Sequence, residues 1–195
     1  KLHFLTVNGC TALTHLNCYG SQLTTLSVND CTSLKDLNCD SNQLTSLDVN
    51  DCTALTRLNC NYNQLTVFDV SKCTELTELE CIANRLDSLD VTKCTTLRDL
   101  KCTGNQLTSL DVTKCTELKY LWCFHNAINS IDVTKCTKLN ELLCDSNQLT
   151  SLDISNNLAL NSLDCRENPL ATLYLKTGQT ISTLNKPDTT VIEYK

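Results

Sequence analysis

Four glycines and two prolines are few for a chain that must turn as often as this one, so something other than the usual turn residues shapes its corners. There are three histidines, and no Ser/His/Asp triad, HExxH or phosphate-loop signature, which leaves catalysis short of reactive groups and argues for a protein that is not an enzyme. No apolar run approaches the length that spans a bilayer, so no membrane insertion is expected. Lysine and arginine number 16 against 22 acids, for a formal charge of −6, whereas nucleic-acid binders concentrate the opposite sign. An N-terminal signal peptide is missing too. The chain enters in mid-pattern at Lys1 and reads as a piece of a longer precursor.

Cysteine, by contrast, is abundant, and its spacing exposes an internal repeat. Cys18, Cys39, Cys60, Cys81, Cys102, Cys123, Cys144 and Cys165 lie 21 residues apart without a break. So do Cys10, Cys31, Cys52, Cys73, Cys94, Cys115 and Cys136, and the next place holds Asn157. Leucine keeps the same period in columns from Leu13 to Leu160 and from Leu16 to Leu163. Each coil reads LxxLxCxxNxLxxLxVxxCxx, in halves of 10 and 11 residues. The alternation around L-x-C and L-x-V is that of a strand with one buried face, and neither half holds a helix of ordinary length.

These features predict a mainly β fold: a right-handed parallel β-solenoid with two short strands per coil, little helix and six inward apolar columns. About nine coils stacked at ~4.8 Å make a rod roughly 40 Å long. One coil cannot bury its face alone, so stability comes from stacking. Halves of nearly equal width predict weak curvature. The corner asparagines, Asn42 through Asn168, tolerate left-handed geometry and are expected to bond the backbone of neighbouring turns, which accounts for the low glycine count. The solenoid is assigned to residues 1–177 and a capping segment to 178–195, where the period breaks and Val191-Ile192-Glu193-Tyr194 reads as a closing strand.

Leu55-x-x-Leu58-x-Cys60-x-x-Asn63-x-Leu65 resembles the core motif of the leucine-rich-repeat superfamily, LxxLxLxxN/CxL. The nested halves are similar to the short bacterial class called IRREKO-type, and the tail resembles those that end repeat regions in bacterial surface and secreted proteins. The resemblance implies molecular recognition and a secreted or cell-surface location. It names no ligand.

Both cysteine series are read as reduced, shielded thiols. Clustered CxxC spacing, which zinc sites use, is absent. A bridge between Cys10 and Cys18, or their equivalents, would bracket most of a strand, beyond the ~7 Å that a disulfide spans. Cys165 also persists where Asn157 has replaced its mate. The outward column Asp48, Asp69, Asp90, Asp111, Asp132, Asp153 has two readings, a calcium ladder and a set of Asx-turns, of which the second is favoured.

Outward positions of the L-x-C strand vary from coil to coil, as scaffold does not require. Eight acids stand there (Asp36, Asp40, Glu78, Glu80, Asp99, Glu141, Asp145, Asp164) against Arg57, Lys101 and Arg166. One coil carries Tyr120, Trp122 and Phe124, followed by His125, with Lys101 and Leu143 on the neighbouring coils. All three rings are expected to point outward as an aromatic anchor with a largely acidic rim. The expected partner is a protein, basic in character, or a glycan, with no cofactor, metal or nucleic acid. The alternative is a passive spacer or adhesive stalk of a larger surface protein.

Overall fold

The computed structural model describes residues 2–195. In chain order the strands are β1 (Phe4–Thr6), β2 (His15–Asn17), β3 (Thr25–Ser27), β4 (Asp36–Asn38), β5 (Arg57–Asn59), β6 (Glu78–Glu80), β7 (Asp99–Lys101), β8 (Tyr120–Trp122), β9 (Glu141–Leu143), β10 (Ser151–Asp153), β11 (Ser162–Asp164), β12 (Thr172–Leu175), β13 (Thr183–Asn185) and β14 (Val191–Tyr194). No helix occurs among the described residues. The eight L-x-C segments and β13 form one parallel sheet in the order β13-β11-β9-β8-β7-β6-β5-β4-β2. Its register never slips: Leu37 lies beside Leu58, Leu58 beside Leu79 and Leu79 beside Leu100. The chain is thus a parallel β-solenoid whose coil is the 21-residue repeat.

The L-x-V side behaves differently. It forms hydrogen-bonded strands only at the two ends, as β1-β3 and β10-β12-β14. The ladder is missing wherever Asp48, Asp69, Asp90, Asp111, Asp132 and Asp153 would sit one rung apart. It forms where Thr6 meets Ser27 and where Asp153 meets Tyr174, and it is missing as well where Ser27 would meet Asp48. Like charges directly opposite in a ladder are destabilising. Each aspartate instead accepts the backbone N–H two residues on, as Asp69 does from Ser71 at 2.8 Å, Asp90 from Thr92 at 2.8 Å and Asp111 from Thr113 at 2.9 Å. The column therefore makes Asx-turns. Among the described residues no group of three or more acid, histidine or cysteine side chains is arranged to hold a metal ion.

Inside, the leucine, valine and L-x-C cysteine columns are buried, and the corner thiols from Cys31 to Cys136 add a seventh column with no exposure. These corner thiols donate weakly to carbonyls of the preceding coil, Cys31 to Val7 at 3.2 Å and Cys136 to Val112 at 3.5 Å. Asn157 donates to the corresponding Val133 carbonyl at 2.9 Å and to Cys136 at 2.8 Å, which explains how an amide replaces a cysteine there. One coil later Gln179 donates to Ile154 and Asn157 at 3.1 Å each, closing the column. The tail keeps half of the period. Thr183 pairs with Ser162 in full register, whereas Val191 pairs with Thr172, a coil shortened by two residues.

The other corner rests on asparagine. Asn105 Oδ1 accepts the Leu86 N–H at 3.0 Å, and its Nδ2 donates to the carbonyls of Cys81 at 3.0 Å and Cys102 at 2.9 Å. The same set recurs at Asn42, Asn63, Asn84, Asn126, Asn147 and Asn168. The left-handed residue is the one before the asparagine: Ser41, Tyr62, Ala83, His125, Ser146 and Glu167 have φ between 49° and 57°, and only Gly104 is a glycine in this run. Three amide bonds per corner outweigh the ~1–2 kcal/mol that an L-residue loses in this geometry.

Asn105→Ala leaves the Leu86 N–H without a partner and takes one of two amide donors from each of the Cys81 and Cys102 carbonyls, which keep Asn84 and Asn126, so a loss of about 2 kcal/mol in unfolding free energy is expected from urea denaturation. Thiol titration offers a second check. All fifteen cysteines are unbridged and only Cys10 is exposed. Burial pushes the thiols of Cys52, Cys73 and Cys115 up to about 12, away from the reactive thiolate. Native protein should react rapidly at Cys10 alone, and denatured protein at all fifteen; mass loss from bridged pairs would contradict this.

Candidate recognition surface

In-register pairing sets the outward residues of the nine-stranded sheet in straight rows. One row runs His15, Asp36, Arg57, Glu78, Asp99, Tyr120, Glu141, Ser162. The next runs Asn17, Asn38, Asn59, Glu80, Lys101, Trp122, Leu143, Asp164. Just past the strands lie Tyr19, Asp40, Asn61, Ile82, Thr103, Phe124, Asp145 and Arg166. The structure brings Lys101, Trp122 and Leu143 side by side.

Only one of the three rings stands free. Tyr120 is 41% exposed. Trp122 is half-buried: Lys101 Nζ lies 4.6 Å from its ring centroid, and its Nε1 donates to Glu141 Oε1 at 2.5 Å. Phe124 is half-buried as well, its ring 5.5 Å from that of His125 at an edge-on 65°. His125 itself is exposed. The expectation of three free rings gives way at Trp122, where the rung spacing lets long side chains of the adjacent coils lie across the ring, and at Phe124, which packs against its own neighbour His125.

Every base on this face is already held. Lys101 reaches Glu80 at 2.8 Å and Asp99 at 3.7 Å. Arg57 bridges Glu78 at 3.0 Å and Asp36 at 3.9 Å, and Arg166 meets Asp164 at 2.6 Å. Burial opposes ionisation of Glu80, but hydrogen bonds from Lys101 and Asn61 hold its carboxyl below the usual range. Asp99 goes the other way. Burial pushes its carboxyl up, Lys101 pulls it back, and Glu80 and Glu78 add to the push. Its Oδ1 is buried without a hydrogen-bond partner.

A polar groove on this face is marked by none of the motifs read from the sequence. A groove of about 350 Å³ lies on the same face toward the N-terminal end, lined by His15, Asn17, Asp36, Asn38, Arg57, Asn59, Glu78 and Glu80. Asn17, Asn38 and Asn59 spend their Oδ1 atoms on their own backbone, accepting from Tyr19, Asp40 and Asn61 at 3.0–3.1 Å. Their amide donors are left for the groove. The signal was the asparagine recurring at one outward position in three successive coils.

Neither a protein-family model nor a curated protein matches the chain. Solved structures do. The functional domain of InlJ from Listeria monocytogenes, described as including a cysteine ladder, matches at 34% identity and a TM-score of 0.66, over 85% of this chain and 44% of its own. A leucine-rich-repeat protein of Leptospira interrogans matches at 28% identity and a TM-score of 0.77, over 85% and 47%. A plant peptide hormone receptor, RGFR1, in complex with RGF2, shares the fold at 23% identity and a TM-score of 0.67, over 88% and 31%. The chain thus spans less than half the length of each of these proteins.

Asp99 gives this face a pH signature. An acid whose folded value is raised is best tolerated protonated, so its contribution is favourable below the ordinary carboxylate range and is lost as pH rises through the folded value. Asp99→Asn should therefore raise the melting temperature at pH ~7. The gain should shrink as the pH falls into the carboxylate range, as measured by thermal scans across pH.

Proposed function

The chain is a leucine-rich-repeat protein of the bacterial type, and from that premise we propose that it is a non-catalytic recognition module that binds a protein through its continuous sheet face. One observation carries the reading. On this face the backbone is held in strict register while the outward residues change with every coil, which is how a rigid scaffold displays a specific pattern. Its three bases are all paired within the face and acids remain in excess, so the complementary partner is basic. Tyr120 is the exposed anchor, with Trp122, Phe124, His125, Lys101 and Leu143 around it. The plant receptor, solved in complex with RGF2, supports a peptide-like ligand on such a fold. A place at the bacterial cell surface or outside the cell belongs to the same proposal. No helix among the described residues is long and apolar enough to cross a membrane.

A glycan is the second reading, favoured only by the free Tyr120 ring, which offers a stacking surface. Arrays of proteins, basic peptides and glycans probed with the intact chain separate the two. Tyr120→Ala should keep wild-type stability and weaken binding of the captured ligand about 30-fold, near 2 kcal/mol. Trp122→Ala should weaken binding and also cost about 1 kcal/mol of stability, because it loses its contacts with Lys101 and Glu141. Unchanged function after deletion of one whole coil would favour a stalk instead.

A further inference from the structure

Away from the sheet face, two columns of opposite charge run side by side along the L-x-V side. Asp69, Asp90, Asp111 and Asp132 form one, and Lys72, Lys93, Lys114 and Lys135, three residues later in each coil, form the other; all eight are exposed. Each aspartate spends Oδ1 on its own turn and leaves Oδ2 without a partner. Among the described residues none of the four lysines makes a salt bridge. Because the ladder is missing here, the surface is hollow. A groove of about 560 Å³ is lined by Asp69, Asp90 and Asp111 with Ser88 and Ser109, and a second of about 270 Å³ carries it on to Asp132. The next member of the column shows how an ammonium seats there: Lys195 Nζ lies 2.6 Å from Asp153 Oδ2, the oxygen left open in the other four.

A polyanion laid along the lysines would run beside four carboxylates, and a polycation in the groove would run beside four lysines. The surface that satisfies both columns carries two of opposite sign at the spacing of this coil. We propose that the L-x-V side is a self-association surface on which a second copy of this chain docks, the two related by a two-fold axis parallel to the solenoid. That rotation exchanges left and right, so Asp69 meets Lys72 of the second copy, and Asp90, Asp111 and Asp132 meet its Lys93, Lys114 and Lys135, coil for coil. An axis across the columns would set aspartate against aspartate. Toward the N-terminus Asp51 occupies the lysine position and would face Asp48, so the contact ends there. Exposed pairs of this kind are individually weak and screened by salt, so the dimer is weak and salt-sensitive. Both sheet faces stay open, and the inference does not depend on the recognition proposed above.

Sedimentation of the intact chain at low salt and at about 1 M, where the screening length falls to about 3 Å, reads this directly. Dimer at low salt, giving way to monomer at high salt, is expected. The quadruple variant K72E/K93E/K114E/K135E should be monomeric at both, while the corresponding Lys→Arg variant keeps the dimer. Carbodiimide coupling of mixed isotope-labelled and unlabelled wild-type chains should give mixed Asp90–Lys93 links, which needs no variant to fold. A wild-type monomer at low salt, a dimer that survives the Lys→Glu changes, or mixed links that skip coils would each overturn the proposal. So would capture of an anionic polysaccharide by chains that stay monomeric.

Discussion

A carboxamide that reaches across two coils sets the spacing on which the rest of this solenoid depends. Asn105 takes an N–H from the coil before it and ties together carbonyls of that coil and its own. The same triple contact repeats from Asn42 to Asn168, so no coil can slide or tilt without breaking bonds at two corners at once. Corner backbone that would otherwise be buried without partners is satisfied by a side chain rather than by glycine geometry. The left-handed residue that precedes each amide is a consequence. Its identity matters little, which is why serine, tyrosine, alanine, histidine and glutamate all serve there.

The thiol corner solves the same problem with weaker donors. Sulfur to carbonyl distances of 3.5 to 3.8 Å at Cys73, Cys94 and Cys136 mark modest hydrogen bonds, and these side chains act mainly as small apolar fillers. Where the column nears its end, Asn157 and then Gln179 take over with shorter amide bonds. The change costs something. Asn157 Oδ1 is buried with no partner, a group that a cysteine would not have introduced. The trade is sensible only near the end, where a stronger donor fixes the last coils against fraying.

The period made the architecture legible before any coordinates. Leucine and cysteine columns name the inward positions outright, because a strand pattern repeated at a fixed length has one way to stack. What the period hid is what depends on contact between coils. Two strands per coil look equivalent in the repeat, yet stacking puts Asp69 against Asp90, and that ladder is open in the middle coils while the other is closed throughout. The tail looked aperiodic, but Leu184 still occupies the leucine column beside Leu163. On the sheet face the variable rows were readable and the exposure of each ring was not. The lysine that lies on Trp122 and the glutamate that bonds it belong to the coils before and after, and their reach is set by rotamers.

One consequence of the stacking links the two faces. The sheet side keeps its hydrogen bonds and so holds its outward residues at a fixed rise, which suits a surface that must present several side chains in one geometry. The L-x-V side gives up those bonds between its aspartates and gains a hollow, charged strip instead. The two sides differ at one outward position in each half-coil. On the sheet side that position carries Asn59, Glu80, Lys101 and Trp122, whose charges pair with neighbours or are absent, and the ladder survives. On the other it carries aspartate after aspartate, and the ladder fails. A single uncharged residue in the run, such as Asp90→Asn, would remove two of the like-charge contacts while keeping the Asx-turn oxygen. Extension of the strand ladder into the middle coils of this variant, read by slowed amide hydrogen exchange, is expected if charge contributes to the opening there; the ladder is open as well between Ser27 and Asp48, where no like charges meet.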